Sequence, residues 1–500
     1  MKKFKVMMFD KLAGTLLVAE GRWVFEYEEA YLKDRNLPPI STSLPKEPHG
    51  PHVSTEIPAF FDGILPEGWL ADRGKSFGIF IDKKEDAVGL YLKDTIGGVS
   101  LQEEGGTDGS EPLRKIRHLP AKDFRTRGAE ELAHDYLLTF DVEDRKYQNE
   151  KLLKFAFEGV VRVRASRKCL VCLSQLTDPE RAFYHPSCAE KVFGTHEDLI
   201  AETSLQTFSR DAFTSLSSGA PLPGYQPKAQ FFVSTEDGSG TELIIKSDVI
   251  VDLKHKNAPR GIPVFEHLTM RAAEDFGVHT AKSAIIPFMD GSLGYATRRF
   301  DRFPGMMVHA EDMLQAKGVN QDELGKNKFE GSIRDIDAVI RKYAENLGVP
   351  HTNILKQMAL RTVFNLAIGN HDAHLKNHSI IFVLRKRRGY LVNLSPAYDI
   401  ITLNTMEMTK HKGRESALSI NGKKTNVMPS DVIEEFKTFG GEMEAREAFE
   451  KLFARKDTIR SCLLDHLGAF GLQNYASEIE SFLTKKFKLF EQNSLTGRLL

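Results

Sequence analysis

The segment Asn-His-Asp-Ala-His-Leu-Lys-Asn at residues 370–377 constrains this 500-residue chain more than any other part of its sequence. Within it, Asp372 is followed five positions later by Asn377. Phosphotransfer enzymes use a carboxylate and an amide at this spacing, the first to orient an acceptor hydroxyl and the second to hold Mg²⁺. The pair is common by itself, and Asp372 or His374 could equally be a hydrogen-bonded turn residue. The surrounding sequence must therefore distinguish a phosphotransfer site from an ordinary turn.

The sequence after this segment supports the phosphotransfer interpretation. Two apolar, β-prone runs at 379–384 and 390–394 flank a charged stretch, which predicts a β-hairpin. The hairpin leads to Asp399. A loop, a hairpin and then an aspartate is the order in which kinases place their second Mg²⁺ ligand. We therefore expect Asp399 to share the metal with Asn377.

Three features upstream fit the same chemistry. Lys246 ends a short apolar strand, from which its ammonium can reach the α- and β-phosphates of ATP as a point charge. Glu266 begins a helical pattern 20 residues later and could pair with Lys246. The Gly- and Pro-rich stretch 217–228 suits a loop that covers phosphates, although it lacks the Walker A pattern. Each feature alone has an ordinary structural explanation, but their common order predicts a Mg-ATP-dependent phosphotransferase.

A separate cluster of cysteines and a histidine predicts a metal site. Cys169 and Cys172 form a Cys-x₂-Cys pair, and His185 and Cys188 form a His-x₂-Cys pair 12 residues further on. This Cys₃His set matches the ligands of a closed, structural Zn²⁺ site. The alternatives are buried thiols that share a segment by coincidence and a redox-active Cys-x-x-Cys pair. Four cysteines in the whole chain are too few for a disulfide scaffold.

The charge balance limits the classes of partner. The 68 basic and 69 acidic residues nearly cancel, which argues against non-specific binding of nucleic acid or membrane over the whole surface. No apolar run approaches the ~18 residues of a membrane span, and Asp10 and Lys11 interrupt the only stretch that imitates a signal peptide. A local basic group just before the cysteines could touch RNA or DNA, or could simply be solvated; it consists of Arg162, Arg164, Arg167 and Lys168.

Composition and motif positions predict five consecutive units. The best candidate for a linker is a Gly- and acid-rich stretch, 103–111, at the end of the first unit. We expect a small strand-rich domain at 1–105, a linker or insertion of unknown role at 106–165, the Cys₃His module at 166–195, one lobe at 196–300 and a helical lobe at 301–500.

The chain resembles the HipA-type serine/threonine kinases, the toxin halves of bacterial toxin–antitoxin systems. The most specific match is the string Asn-x-Asp-x-His-x-Lys-Asn, and residues 1–105 resemble the small N-terminal domain of that family. The other matching segments are 224–228, 244–246, 266–267, 299–302, 309–312 and 396–399. The Cys₃His module resembles the start of shorter, HipT-like kinases, whose N-terminal domain is a separate protein. The chain thus resembles both halves fused.

This resemblance implies an α+β, two-lobed protein-kinase-like fold with a small strand-rich N-terminal domain and a zinc-knuckle-like insertion. It implies ATP and Mg²⁺ as cofactors beside a structural Zn²⁺, Asp372 as catalytic base with Lys246 and His374 in the catalytic set, and Asn377 and Asp399 as Mg²⁺ ligands. The further residues expected to bind ATP are Gly224, Gln226, Lys228, Glu266, Arg298 and Phe300.

The resemblance also implies autoregulation by phosphorylation. Members of the family can phosphorylate a serine of the glycine-rich loop, which ejects the loop and stops the kinase. The candidates here are Ser217 and Ser218, with Ser215 behind them. A phosphate would add about −1.5 to −2 charges beside the ATP phosphates, so repulsion supplies the mechanism. The family pattern Ser-x-x-Gly-x-Gln-x-Lys is interrupted by residues 220–223, which leaves the choice of serine open.

The implied partners are a protein substrate, of which an aminoacyl-tRNA synthetase is one candidate, and a helix-turn-helix antitoxin. DNA would be contacted only through that antitoxin, in the cytoplasm and without a membrane. Three alternatives stay open: a small-molecule or lipid kinase on the same fold, a pseudokinase scaffold, and a zinc-dependent nucleic-acid binder. The intact set Lys246, Asp372, Asn377 and Asp399 argues against the scaffold.

Overall fold

The computed structural model describes residues 1–47, 50–65, 84–91, 95–104, 167–205, 207–208, 228–234, 240–248, 260–303, 306–322, 325–385, 389–402 and 413–495. Several predicted features lie outside these residues, namely the stretch 106–165, Gly224, Gln226 and the serines Ser215, Ser217 and Ser218. Among the described helices, none combines the length and the hydropathy that a membrane span requires.

The first part of the chain folds as a five-stranded antiparallel sheet with short helices. In β1, Phe4, Val6 and Met8 are buried while Lys5 is exposed, which is the alternation of a strand with one buried face. The strands lie in the order β4-β3-β2-β1-β5. The elements are β1 (Lys2–Met8), β2 (Lys11–Ala19), β3 (Arg22–Tyr27), α1 (Glu29–Lys33), β4 (His52–Ser54), α2 (Ala59–Ile64), α3 (Lys84–Tyr91) and β5 (Val99–Glu103).

The segment that carries the Cys₃His cluster contains one helix, α4 (Pro186–Phe193). His185 directly precedes this helix, and Pro186 suits its first position because proline lacks an N–H and has a helical φ. Gly194, with a φ of 72°, ends the helix. The Asp198 carboxylate accepts hydrogen bonds from three successive backbone N–H groups, those of Ala182, Phe183 and Tyr184. This clamp fixes the loop that delivers His185.

The first lobe of the following body is a four-stranded antiparallel sheet in the order β6-β7-β9-β8, packed against one long helix. The elements are β6 (Lys228–Ser234), β7 (Gly240–Ser247), α5 (Ile262–Phe276), β8 (Ser283–Pro287) and β9 (Leu293–Arg298). Strand β8 lies at one edge of this sheet.

The second lobe is mostly helical and contains the predicted hairpin. Strands β13 and β14 pair at 379–384 and 390–394, which confirms the hairpin. The helix His351–Ile368 is followed by Gly369, with a φ of 73°, and then directly by the segment 370–377. The elements are β10 (Arg302–Phe303), β11 (Met306–Met307), β12 (His309–Asp312), α6 (Met313–Ala316), α7 (Ile333–Arg341), α8 (His351–Ile368), β13 (Ser379–Leu384), β14 (Tyr390–Leu394), α9 (Pro429–Lys437), α10 (Glu442–Leu464) and α11 (Ala476–Leu495).

Apolar packing divides the described residues into two cores. One belongs to the N-terminal domain and includes Phe4 and Phe60. The other is continuous from the Cys₃His segment through the first lobe to the helices of the second, and includes Phe193, Ile245 and Phe364. The Cys₃His segment is therefore built into the two-lobed body, whereas the N-terminal domain keeps a core of its own.

Buried charges join the N-terminal domain to the body. The guanidinium of Arg299 contacts the Asp301 carboxylate at 2.7 Å and donates to the Thr95 carbonyl at 3.0 Å. Asp301 also accepts the backbone N–H of Gly97 at 2.7 Å. Gly97 has a φ of 91°, and a Cβ there would lie 2.7 Å from the backbone nitrogen of Ala310. Only glycine fits this close approach of two main chains.

A second group of polar contacts lies nearby in the same junction. The buried Glu311 carboxylate accepts hydrogen bonds from the Ser41 hydroxyl and from the Thr42 N–H, the latter at 3.0 Å. The Thr42 hydroxyl donates to the Ala316 carbonyl at 2.7 Å. All of these junction hydrogen bonds join groups that are separated by more than 200 residues.

Candidate active site

Lys246, near the end of β7, is held between two carboxylates. Its ammonium nitrogen lies 2.6 Å from Glu266 Oε1 and 2.6 Å from Asp399 Oδ1. Lys246 is only 7% exposed and Glu266 only 1% exposed. Strand β7 supplies the lysine, the first turns of α5 supply the glutamate, and the chain after the hairpin supplies the aspartate. The structure therefore brings together three residues that the sequence analysis chose separately.

Burial and ion pairing compete in setting the charges of this cluster. Burial raises the pKa of Glu266 to about 7, although the Lys246 ammonium opposes this. Burial also acts to raise the pKa of Asp399, but the ammonium groups of Lys246 and Lys228 outweigh it and hold that pKa well below its ordinary value. The two carboxylates likewise hold the pKa of Lys246 above its ordinary value against burial. A charged Lys246–Asp399 pair is therefore present at neutral pH.

The loop that presents Asp399 has an uncommon backbone. Asp399 has a φ of 58°, a left-handed conformation that aspartate tolerates better than most residues. The preceding Tyr398 donates its hydroxyl to the Lys376 carbonyl at 2.8 Å and stacks its ring on Phe300, with the centroids 5.7 Å apart. These contacts tie the Asp399 loop to the segment 370–377 on one side and to the connection between the lobes on the other.

The segment 370–377 places Asp372 and Asn377 side by side. Asn377 ends a short 3₁₀ turn and donates its side-chain amide to the Asp372 carbonyl at 2.8 Å. Asn370 in turn donates to the Asn365 side chain at 3.0 Å, which anchors the segment to α8. Burial raises the pKa of Asp372 to about 6, with Lys328 opposing and Asp399 reinforcing the effect. A carboxylate of this pKa is ionised at pH 7 and can still accept a proton.

His374, in the same segment, is buried rather than open to solvent. It is 5% exposed, and its ring meets the Phe329 ring edge-on at 5.1 Å between centroids. Burial lowers its pKa well below the ordinary value, so the ring is neutral at pH 7. Arg414 covers the Phe329 ring, with its guanidinium carbon 4.2 Å from the centroid. A neutral, packed imidazole suits a role in supporting Asp372 better than a role in proton transfer.

Three residues near Asp372 were not found from the sequence: Lys328, Phe329 and Arg414. The two cations act on the charge of Asp372, and the ring of Phe329 packs between Arg414 and His374. They come from two distant segments that carry no motif, so no local pattern marked them.

The remaining described candidates lie around the first lobe. Lys228 begins β6 in register with Lys246, and its charge acts on Asp399, Glu266 and Asp372. Arg298, one of the residues expected to bind ATP, donates its backbone N–H to the Lys282 carbonyl at 2.8 Å. Phe300 is half-buried against Tyr398.

The Cys₃His residues also come together. The three sulfurs and a ring nitrogen of His185 all lie within 4.8 Å of one another. His185 Nδ1 is 3.4 Å from Cys172 Sγ, while its Nε2 contacts the Gln175 carbonyl at 3.1 Å. Because a carbonyl can only accept, Nε2 carries the proton and Nδ1 presents a lone pair to the sulfurs. This donor set fits a tetrahedral Zn²⁺ ion, and the Gln175 carbonyl already holds the histidine ring in the required orientation.

Comparisons with known proteins agree with this geometry. A protein family described as "HipA-like C-terminal domain" matches residues 220–462, and a second, "HipA N-terminal domain", matches residues 4–101. The Sinorhizobium fredii protein Y4dM, which is named provisionally as a kinase, is 24% identical over 421 residues, 79% of this chain and 76% of its own length. The serine/threonine-protein kinase toxin HipA of Shewanella oneidensis is 27% identical over 199 residues, 37% of this chain and 44% of its own length.

A solved structure extends the likeness to the whole architecture. A chain of the Shewanella oneidensis complex of HipA, HipB and operator DNA has a TM-score of 0.57 with 17% identity, and the match covers 98% of this chain and 97% of that one. At this identity the match shows a shared fold. The mixed α and β architecture expected from the sequence is confirmed.

Proposed function

The chain belongs to the HipA-type kinases, and on that premise we propose that it transfers the γ-phosphate of Mg-ATP to a serine or threonine hydroxyl of a protein. The observation that carries this proposal is the buried Lys246 ammonium between Glu266 and Asp399. Keeping Lys246 and Glu266 charged in a buried position costs free energy, and such buried charges are concentrated at functional sites.

The residues of the site divide the work of phosphotransfer. Asp372 accepts the proton of the acceptor hydroxyl, for which a pKa of about 6 is suitable because the carboxylate is ionised at pH 7. Lys246 binds the ATP phosphates, with Glu266 holding it in place. Asn377 and Asp399 are the residues that would hold Mg²⁺, which supplies charge neutralisation of the phosphates when it is bound. The half-buried ring of Phe300 and the adjacent Arg298 backbone would border the adenine.

The finer features of the family belong to the same proposal. We assign self-phosphorylation to Ser217, Ser218 or Ser215, and we expect an acceptor protein such as an aminoacyl-tRNA synthetase, a helix-turn-helix antitoxin as inhibitor, and a cytoplasmic location. The named complex of HipA with HipB and operator DNA supports the antitoxin. The Cys₃His cluster is proposed to hold one structural Zn²⁺, supported by the convergence of its four ligand atoms.

The test is the intact mass of the purified chain before and after incubation with Mg-ATP. We expect the wild type to gain about 80 Da per phosphate. Asp372→Asn should gain none while keeping its affinity for ATP, because the base acts mainly in the transition state. The rate should fall as the pH drops through about 6, since protonated Asp372 cannot accept a proton.

Equal phosphorylation of the Asp372→Asn variant would refute the assignment of the base. The kinase function itself is refuted if the wild type gains no phosphate, phosphorylates no added acceptor protein and does not bind Mg-ATP in a titration.

A further inference from the structure

The Cys₃His segment touches the helix that carries Glu266. His267 follows Glu266 directly in α5 and is completely buried. Its ring Nε2 lies 2.9 Å from the backbone carbonyl of Val171, and its Nδ1 lies 3.3 Å from the Ser283 hydroxyl. Val171 stands between Cys169 and Cys172 in the sequence. One hydrogen bond therefore connects the cysteine loop to the residue next to the partner of Lys246.

The direction of this hydrogen bond is fixed by its partners. Because the Val171 carbonyl can only accept, Nε2 of His267 carries the proton, and Nδ1 accepts from the Ser283 hydroxyl. Burial lowers the pKa of His267 to about 4, so the ring stays neutral and keeps this arrangement at pH 7. Both ring nitrogens are thus used to hold α5 against the cysteine loop on one side and β8 on the other.

Other contacts attach the same segment to the first lobe. The Ile285 N–H donates to the Leu170 carbonyl at 2.9 Å, and the Tyr184 hydroxyl donates to the Ile285 carbonyl at 2.9 Å. The segment thereby satisfies backbone groups along the edge strand β8. Lys191 of α4 pairs with Glu274 of α5 at 3.2 Å. The cluster is consequently part of the structure that positions α5.

The cysteine loop lies directly between two of the candidate metal ligands. Leu170 and Val171, whose carbonyls make the two contacts, lie between the ligands Cys169 and Cys172. The loop closes through a hydrogen bond from Leu173 N–H to the Cys169 carbonyl at 2.8 Å, with Leu173 at a φ of 63°. A bound Zn²⁺ would fix both sulfurs about 2.3 Å from one centre. Without it, the thiols would add only weak hydrogen bonds to the backbone hydrogen bonds of the loop.

We propose that the metal-filled Cys₃His cluster positions α5 through the Val171 carbonyl and His267, and thereby holds Glu266 against Lys246. His267 is then a positioning residue, and metal occupancy controls the kinase. The consequence for activity rests on the proposed phosphotransfer function, whereas the positioning of α5 does not.

Loss of this positioning has a specific chemical result. The Lys246–Glu266 distance is 2.6 Å, and a displacement of about 1 Å in such a site can lower the rate about 100-fold. Lys246 would keep its other partner, Asp399, at 2.6 Å. An ammonium held only by Asp399 competes with Mg²⁺ for that carboxylate. We therefore expect both a lower kcat and a higher Mg²⁺ concentration for half-maximal activity.

The first experiment establishes the metal and its effect on α5. Metal content is measured by mass spectrometry, Co²⁺ substitution is followed by thiolate absorption bands, and amide hydrogen exchange is measured in 262–276. Wild type and the matched control Cys462→Ser, whose hydroxyl can still donate to Asp275, should hold one ion per chain. Cys172→Ser or chelated wild type should lose the ion and exchange faster in 262–276. A wild type without metal, or unchanged exchange after metal loss, overturns the proposal.

The second experiment isolates the link without touching a metal ligand. His267→Phe fills the same space without a donor, whereas His267→Gln places an amide N–H near the position of Nε2. We expect His267→Phe to keep its metal, to exchange faster in α5, and to lose about 10–100-fold in kcat with a raised Mg²⁺ requirement. His267→Gln should recover most of these losses. If His267→Phe keeps the wild-type exchange pattern, kcat and Mg²⁺ requirement, the proposal fails.

The two proposals can fail separately. A wild type that transfers no phosphate but shows metal-dependent exchange in α5 refutes the kinase function and supports the positioning by the cluster. A wild type that transfers phosphate at the same rate with and without the metal of the Cys₃His cluster supports the kinase function and refutes the positioning.

Discussion

The Cys₃His segment and the N-terminal domain are both joined to the two-lobed body, but they are joined in different ways. The Cys₃His segment shares its apolar core with the body, so Phe193 and Ile245 belong to the same cluster. The N-terminal domain keeps a separate core and meets the body through hydrogen bonds, such as those that Arg299 and Glu311 make with Thr95 and Thr42. A shared core makes two parts fold as one, whereas a polar junction resembles an interface between separate proteins.

This difference agrees with the resemblance of the chain to two halves fused. In the shorter kinases that it resembles, the Cys₃His segment starts the kinase itself and the N-terminal domain is a separate protein. The polar junction has the character that such a subunit interface requires, because each half must be stable in water before the two meet. In this chain both parts belong to one polypeptide, which keeps the polar contact in place.

The two tryptophans of the chain allow the comparison to be tested. Trp23 and Trp69 both belong to the N-terminal domain predicted at 1–105, and the body has none. Tryptophan fluorescence therefore reports unfolding of the N-terminal domain, whereas far-UV circular dichroism is dominated by the helices of the body. Transitions that do not coincide would show separate unfolding of the two parts.

The largest effect is expected from breaking the shared core. Phe193 is fully buried and lies 5.0 Å from Tyr184, ring centroid to centroid. Phe193→Ala should lower the free energy of unfolding of the body by about 3–5 kcal/mol through lost burial and a cavity. Denaturant titration should move the dichroism transition and leave the tryptophan transition nearly unchanged. Phe193→Leu is the control with a smaller loss; an equal shift of both transitions would contradict separate cores.

The next effect is a pH dependence of the polar junction. Burial raises the pKa of Glu311 to about 8, from an ordinary value of 4.5. The folded protein therefore retains a proton that the unfolded chain releases, so stability should fall as the pH rises from 4.5 to about 8, by up to ~1.4 kcal/mol per pH unit. Glu311→Gln removes this titration. The free energy of unfolding from the tryptophan transition should differ less between wild type and variant at low pH. A difference that does not change with pH would contradict the raised pKa of Glu311.

A smaller effect should follow from the loss of one junction hydrogen bond. The Thr42 hydroxyl donates to the Ala316 carbonyl at 2.7 Å. Thr42→Val keeps the shape and removes the donor, which should cost about 1 kcal/mol in the tryptophan transition. Thr42→Ser, which retains the hydroxyl, is the matched control and should lose less than the valine variant. If serine loses more than valine, packing rather than hydrogen bonding holds this part of the junction.

The smallest effect is expected from a solvent-exposed ion pair. Lys33 and Glu29 form an exposed pair on α1, with the ammonium nitrogen 2.5 Å from the carboxylate. Solvent screens such pairs, so Lys33→Ala should leave both unfolding transitions where they are in the wild type. A shift of either transition would mean that the two probes respond to surface charge in general, and the other comparisons would need correction for it.

The parts of the site that the sequence predicted are those with local patterns. The spacing of Asp372 and Asn377, the hairpin before Asp399 and the strand that ends near Lys246 are each readable within a few residues. The structure pairs Lys246 with Asp399 and Asn377 with Asp372, and the charge of Asp399 acts on Asp372. The Cys₃His set was readable for the same reason.

The contacts that the sequence did not predict join distant segments. His267 meets Val171 across 96 positions, and Thr42 meets Glu311 across 269 positions. Arg414 reaches Phe329 with no motif at either residue. A single buried hydrogen bond or stacked ring leaves no period in the sequence, so these partners follow only from the folded packing.

Gly97 has a consequence for the exchange of domains between relatives. Its main chain approaches that of Ala310 so closely that a Cβ would collide with backbone rather than with a side chain that can move aside. An N-terminal domain borrowed from another protein would therefore be accepted by this body only if it brings a glycine to that position. When domains are exchanged, in nature or in the laboratory, the residue at this position decides whether the donor domain fits the body, however similar the two domains are otherwise.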